Sequence, residues 1–131
     1  MANTITKQTI VDGSKRLIVK IHILGDGSGE ETTTVLIDAS SYTPAFTNEA
    51  LYSVHSNLNG FTAELIWDAT ANVPLLHLAD YEADWLQTET GGVSIPNNAG
   101  AGKTGDILLT TTGLGAGDQG SIVIDIKKKP A

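Results

Sequence analysis

The sequence LYSVHSNLNGFTAELIWD occupies residues 51–68 and forms two alternating runs on either side of Asn59-Gly60. An Asn-Gly pair between such runs predicts a β-hairpin with a two-residue type I′ turn, because both turn residues must adopt positive φ. Side chains alternate across a strand, so each run has an inward and an outward face. The hairpin register would place Leu58 opposite Phe61, Ser56 opposite Ala63, Val54 opposite Leu65 and Tyr52 opposite Trp67 on the inward face. The outward face would carry His55, Asn57, Thr62, Glu64 and Asp68.

Turn-forming residues divide the rest of the chain into similar runs, about eight or nine short strands in all. We predict an all-β fold, an antiparallel two-sheet β-sandwich of the jelly-roll kind, with a closed barrel as the alternative. One domain would span residues 1–131, with a short basic C-terminal tail at 127–131. The predicted strands outside the hairpin are 5–11, 16–24, 32–38, 73–79, 85–89, 107–112 and 121–127, of which the last two should pair. The glycine-rich segment 91–105 is expected to be one long exposed loop.

The composition of the chain disfavours two classes of binding partner, nucleic acids and membranes. The chain has 131 residues and a net charge of −7, from 15 acidic and 8 basic residues, and it has no cysteine. An acidic surface is poorly suited to nucleic acid, and no apolar run reaches the roughly 18 residues that a membrane helix needs. The N-terminus lacks the apolar core of a secretory signal. We therefore expect no nucleic-acid or membrane partner, and a protein that acts where it is made or inside an assembly.

Several patterns suggest chemistry, but each has a simpler structural explanation. The glycine-rich segment 100–105 lacks the first glycine of a phosphate-binding loop and is followed by a strand, whereas that loop precedes a helix. The carboxylates around 26–31 do not have the spacing of an EF-hand, and those at 80–84 lack an aromatic sugar cleft. His22, His55 and His77 lie on three separate strands without metal-ligand spacing. We predict no catalytic, metal or cofactor site.

Other residues are candidates for contact with a partner protein. Trp85 would mark a contact surface if it is exposed, because aromatic residues are enriched at interfaces. The glycine-rich loops could become ordered on contact, and the basic tail could pair with acidic groups of a neighbour. The candidate contact residues are Trp85, Asp26, Glu30, Lys103, Lys127, Lys128 and Lys129.

Three passages together resemble small virion proteins of marine and freshwater tailed bacteriophages. They are HILGDGSG at 22–29 with LIDAS at 36–40, LIWDAT at 65–70, and TGDILLTTTG at 104–113; the ending IVIDIKK at 122–128 is also similar. The resemblance implies a structural protein of the particle, most plausibly a decoration (cement) protein on the capsid exterior. Its partners would be the major capsid protein or other virion subunits and further copies of itself, as a dimer or trimer. It would be made in the host cytoplasm and reside on the virion.

Two alternatives stay open from the sequence. The protein could belong to the tail, neck or fibre of the same particle. It could instead be a carbohydrate-binding or receptor-binding module, as the β-sandwich and the position of Trp85 near Asp80, Glu82 and Asp84 suggest. All of these functions are non-enzymatic.

Overall fold

The computed structural model describes residues 3–42, 46, 49–78, 81–85 and 95–128, with segment 81–85 described by its backbone alone. Within these ranges the regular structure is β-strand apart from one 3-10 turn, Ala39–Ser41. In these residues no helix has the length and hydropathy to cross a membrane. The strands are β1 (Thr4–Asp12), β2 (Arg16–Leu24), β3 (Thr34–Ile37), β4 (Ala50–Asn59), β5 (Thr62–Trp67), β6 (Val73–Leu78), β7 (Tyr81–Trp85), β8 (Ile95–Pro96), β9 (Ile107–Thr112) and β10 (Gln119–Lys127).

The strands form two antiparallel sheets that pack as a β-sandwich, as predicted. The six-stranded sheet has the order β1-β2-β10-β4-β7, with β8 also paired to β4, and the four-stranded sheet has the order β3-β9-β5-β6. Without β1 and β8, this is the arrangement of an eight-stranded jelly roll, in which successive strands repeatedly cross from one sheet to the other. The predicted fold class is confirmed.

The predicted hairpin at Asn59-Gly60 is wrong. β4 lies in the six-stranded sheet and β5 in the four-stranded sheet, so the two strands do not pair with each other. Gly60 has a φ of +93°, but Asn59 does not have a positive φ, so the type I′ turn is absent. The chain instead arches from one sheet to the other. The predicted pairing of the last two strands fails for the same reason, because β9 and β10 also lie in different sheets.

The predicted inward faces are nevertheless buried. Both sheets direct their apolar sides into one core, so a residue points inward whether its strand pairs with the next strand or packs across from it. The core includes Val54, Leu58, Phe61, Ala63, Leu65 and Trp67, together with Leu17, Val19, Ile21, Ile23, Ile122, Ile124 and Ile126. Tyr52 is the exception. The register between β4 and β10 shifts at this point, and Tyr52 is only half-buried, while Leu51 takes the inward position.

Two predicted segments differ from the structure. Of the exposed loop predicted at 91–105, residues 91–94 lie outside the described part of the chain, and the remainder is not wholly exposed. β8 pairs with Ala50 and Leu51, and Asn97 and Ala99 are buried. The strand expected at 85–89 is found earlier, at Tyr81–Trp85, and residues 86–89 lie outside the described part of the chain.

Candidate functional site

A shallow groove runs along β10 on the outward face of the six-stranded sheet. It has a volume of about 370 Å³. Its floor follows the outward residues of β10, and its walls come from β2 on one side and β4 on the other, because those strands flank β10 in the sheet. The lining residues are His22, His55, Asn57, Asn59, Gln119, Gly120, Ser121 and Val123.

The strand register explains the shape of the groove. Ser121 is paired with His22 on β2 and with Asn57 on β4, so a small side chain lies between two larger ones. Val123 is the next outward residue of β10 after Ser121. It is paired with His55 and supplies an apolar surface beside that histidine. From Gln119 to Val123 the floor extends about 13 Å, given the rise of an antiparallel strand. The groove is therefore long enough for an extended ligand.

The described lining residues offer many hydrogen-bonding groups, and none of them is Asp, Glu, Lys or Arg. Each amide of Asn57, Asn59 and Gln119 provides two donors and one acceptor, and the hydroxyl of Ser121 both donates and accepts. A neutral imidazole also has one donor and one acceptor. These groups lie on the outward face of the sheet, where a ligand can reach them. This set suits a neutral, hydroxyl-rich ligand.

Beyond Val123, the outward face ends in an ion pair. The Nε of Arg16 donates a 3.0 Å hydrogen bond to Oδ1 of Asp125, and the carboxylate raises the pKa of Arg16. The guanidinium also lies 4.1 Å from the centre of the Tyr52 ring, and Lys127 Nζ lies 5.9 Å from it. These contacts fix this end of the sheet. They also leave Asp125 neutralised by its own neighbour.

The two acidic residues predicted to contact a partner, Asp26 and Glu30, accept hydrogen bonds from other residues of this chain. Glu30 accepts hydrogen bonds from Thr111 Oγ1 at 2.8 Å and from the backbone N–H groups of Gly113 and Leu114, and these bonds lower its pKa. Oδ1 of Asp26 accepts a bond from Ser28 N at 2.8 Å, and hydrogen bonds from the side chain and the backbone of Ser28 lower the pKa of Asp26. Both carboxylates hold loops in place. Within the described residues, no three His, Cys, Asp or Glu side chains are grouped so as to hold a metal ion.

The predicted basic contacts are not one cluster. Lys127 is exposed at the end of β10, but Lys128 is only 6% exposed and its Nζ bonds Asp12 Oδ1 at 2.5 Å. The basic tail predicted at 127–131 is therefore not free at Lys128, which is buried and held against Asp12 of β1. Lys103 is half-buried in a distant loop. Lys129 lies outside the described residues, and Trp85 is described only as a backbone partner of Val54.

Glu49 is a buried carboxyl that the sequence did not single out. It lies just before β4 and is 1% exposed. Its Oε1 accepts a 3.1 Å bond from Asn97 Nδ2, whereas Oε2 is buried without a hydrogen-bond partner. Its backbone carbonyl also accepts a 3.0 Å bond from Asn97 N. Burial raises the pKa of Glu49 to about 7, and the nearby Asp106 acts in the same direction.

We expect Glu49→Gln to raise stability in a pH-dependent way. The unfolded chain loses the Glu49 proton near the ordinary value of 4.5, but the folded protein keeps it up to about pH 7. The folded state therefore loses stability between these values, by on the order of 3 kcal/mol. Glutamine stays neutral, so urea denaturation should show a gain of about 1–3 kcal/mol at pH 8 and little change at pH 4.5. Glu64→Gln, on an outward face, is the control. An equal gain at both pH values would contradict this account.

The sequence did not predict the groove, although two of its lining residues, His55 and Asn57, were correctly placed on an outward face. His55 and Asn57 were assigned to the outward face of the strand that forms β4, whereas His22 was assigned only to the predicted strand 16–24. Nothing in the order of residues says that β10 separates these two strands. The sequence does show polar residues at outward positions on several strands. Whether those residues lie together can be judged only when the strand order is known.

No protein-family model and no curated protein matches the chain. Among solved structures, a mutant of a family 29 carbohydrate-binding module is similar with a TM-score of 0.39 and 8% identity, over 97% of this chain and 94% of that one. The family 11 carbohydrate-binding module of a cellulosomal cellulase of Clostridium thermocellum is similar with a TM-score of 0.33 and 8% identity, over 100% of this chain and 85% of that one. Similarity at this level identifies no ligand for this chain.

Proposed function

We propose that this protein is a non-enzymatic binding module that holds a carbohydrate chain in the groove along β10. The observation that carries the proposal is the lining of the groove: three amides, two imidazole groups and a hydroxyl around the apolar surface of Val123. Sugar hydroxyls both donate and accept hydrogen bonds, and amide and imidazole groups can also act as donor and as acceptor. Among the lining residues that the structure describes, none carries a carboxylate or an ammonium group that would require a charged ligand.

The scaffold suits this role because it positions the polar groups before the ligand arrives. The three strands that line the groove are paired over most of their length, and their inward faces are buried in the core. Side chains held on such a sheet lose less freedom on binding than side chains on a loop, which favours affinity. The groove is open to water, so individual contacts should be modest. Water-bridged contacts would add to them.

A glycan array with the purified protein tests the proposal. We expect binding to one or more neutral oligosaccharides, with Asn57→Ala and His55→Ala each lowering the affinity about 2- to 10-fold, the range for one lost hydrogen bond. His77→Ala is the matched control, because His77 is an exposed histidine on β6 of the other sheet. Trp85→Ala tests the contact residue expected from the sequence. Silence across the array, or equal losses in the His55 and His77 variants, would contradict the proposal.

A second candidate function is a phage decoration protein, as the sequence resemblance implies. The favouring observation is the outer edge of β1, which pairs with no strand in the described part of the chain. Ile10 is 53% exposed and Val11 40% exposed on this strand, and Val35 of the neighbouring β3 edge is 42% exposed. Exposed apolar side chains on an unpaired edge are suited to contact with another protein.

In this second proposal, the partner is the major capsid protein or another virion subunit, and the protein forms a dimer or trimer on the particle surface. Many copies on one shell would make a modest affinity per copy sufficient. Localising the protein in a density map of an intact particle tests it. A position on the capsid exterior with the β1 edge against a shell subunit is the expected result. A position on the tail, neck or fibre would contradict the capsid assignment.

A further inference from the structure

A second, smaller depression adjoins the groove on the far side of His22. It has a volume of about 90 Å³ and is lined by Thr6, Gln8, Lys20 and His22. His22 is therefore a wall common to both depressions. A ligand lying along β10 could extend a substituent over His22 into this second space.

The four side chains form a block on two neighbouring strands. Thr6 is paired with His22, and Gln8 is paired with Lys20. Directly paired residues have Cβ atoms about 4.5–5.5 Å apart, so one small group can contact all four side chains. An ammonium, an amide, a hydroxyl and an imidazole can each donate a hydrogen bond. Such a set of donors around one cation favours an anionic group.

The charge distribution on this face supports the same conclusion. The chain has a net charge of −7, yet Asp125 is the one carboxylate among the described outward residues of β1, β2, β10 and β4, and Arg16 engages it. Glu82 and Asp84 occupy register positions opposite Asn57 and His55 on β7. β7 lies three strand spacings from β2, about 14 Å, which leaves the Lys20 side of the face the more positive one.

We infer that the preferred ligand is an acidic polysaccharide, whose carboxylate or sulfate group binds in the depression formed by Thr6, Gln8, Lys20 and His22. This inference rests on the proposed function, because it requires a glycan in the groove along β10. Lys20 supplies the charge, and the three other side chains supply the remaining hydrogen bonds. An exposed ion pair of this kind weakens as salt is added.

The test compares four polysaccharides with the full chain at low salt and in 0.5 M NaCl. Polygalacturonate carries the carboxylate, its methyl ester has the same backbone without the charge, dextran sulfate carries sulfate, and dextran is neutral. We expect polygalacturonate or dextran sulfate to bind about 3- to 10-fold more tightly than its uncharged counterpart at low salt, with the advantage lost in high salt. Which acidic polymer shows the advantage identifies the anionic group.

Lys20→Ala should remove that advantage, while Lys15→Ala, an exposed lysine in the turn between β1 and β2, should keep it. Equal affinity for the charged and uncharged polymers, or equal losses in the two lysine variants, would overturn the inference. If neutral polymers still bind in a way that depends on Asn57, the proposed function survives that result. If no polymer binds with dependence on Asn57 or Lys20, both proposals fail together.

Discussion

Trp67→Ala should lower the free energy of unfolding by about 3–5 kcal/mol, a large part of the stability of a domain of this size. Trp67 is completely buried at the end of β5, where the backbone pairs with Val73 on one side and Ile107 on the other. Truncation removes the indole from the centre of the core and leaves a cavity that strands on both sides prevent from closing. Urea denaturation followed by circular dichroism measures the loss.

Trp67→Phe is the matched variant for this experiment. It keeps an aromatic ring in the core, and it removes an indole Nε1 that is buried without a hydrogen-bond partner. Losing that unpaired donor offsets part of the lost packing, so we expect a cost of about 1–2 kcal/mol. A loss below about 1 kcal/mol for Trp67→Ala would show that the inward face of β5 is assigned incorrectly.

Gly60→Ala should be the second large effect, at roughly 2–3 kcal/mol. Gly60 makes the arch between the two sheets with a φ of +93°, a conformation that is strained for alanine. An added Cβ would also clash with Oδ1 of Asp118. Asp118 cannot move freely, because its Oδ2 accepts a bond from Gly115 N and its carbonyl accepts one from Gly25 N.

Gly117→Ala separates the two causes of the expected loss at Gly60, which are backbone strain and the contact with Asp118. Gly117 has a φ of +84°, similar to that of Gly60, but an added Cβ there would meet no atom within 4 Å. We expect it to cost about 1 kcal/mol, the backbone strain alone. The excess in Gly60→Ala then measures the contact with Asp118. Equal losses in the two variants, measured by thermal unfolding, would show that Asp118 moves aside at no cost.

The sequence predicted which side chains point inward, but it did not predict which strands pair. Alternation along a strand depends only on neighbouring residues, so the inward positions of β2, β5 and β10 could be assigned directly. Pairing depends on whether the connection between two strands turns back within one sheet or leads across to the other sheet. The Asn59-Gly60 pair has the chemistry of a tight hairpin, but Gly60 alone has a positive φ, and the turn leads into the opposite sheet.

The candidate site could not be predicted because it depends on strand order. His22 and Asn57 are far apart in the chain and become neighbours across Ser121 when β10 lies between β2 and β4. The predicted partner contacts at Glu30 and Lys128 fail for a related reason, because both residues are bonded within the molecule. A charged residue in a loop or near a chain end is ordinarily solvated, yet Glu30 anchors a loop to β9 and Lys128 pairs with Asp12. Those contacts are long-range and leave no local pattern in the sequence.

The most direct test of the account is a nuclear magnetic resonance titration with the oligosaccharide that the array selects. Backbone amide shifts report which part of the fold meets the ligand, without any substitution. We predict that the changes follow the groove, at residues 119–123 of β10, 55–59 of β4 and His22 of β2, while the four-stranded sheet stays unchanged. Changes confined to the four-stranded sheet or to the β1 edge would contradict a carbohydrate site along β10.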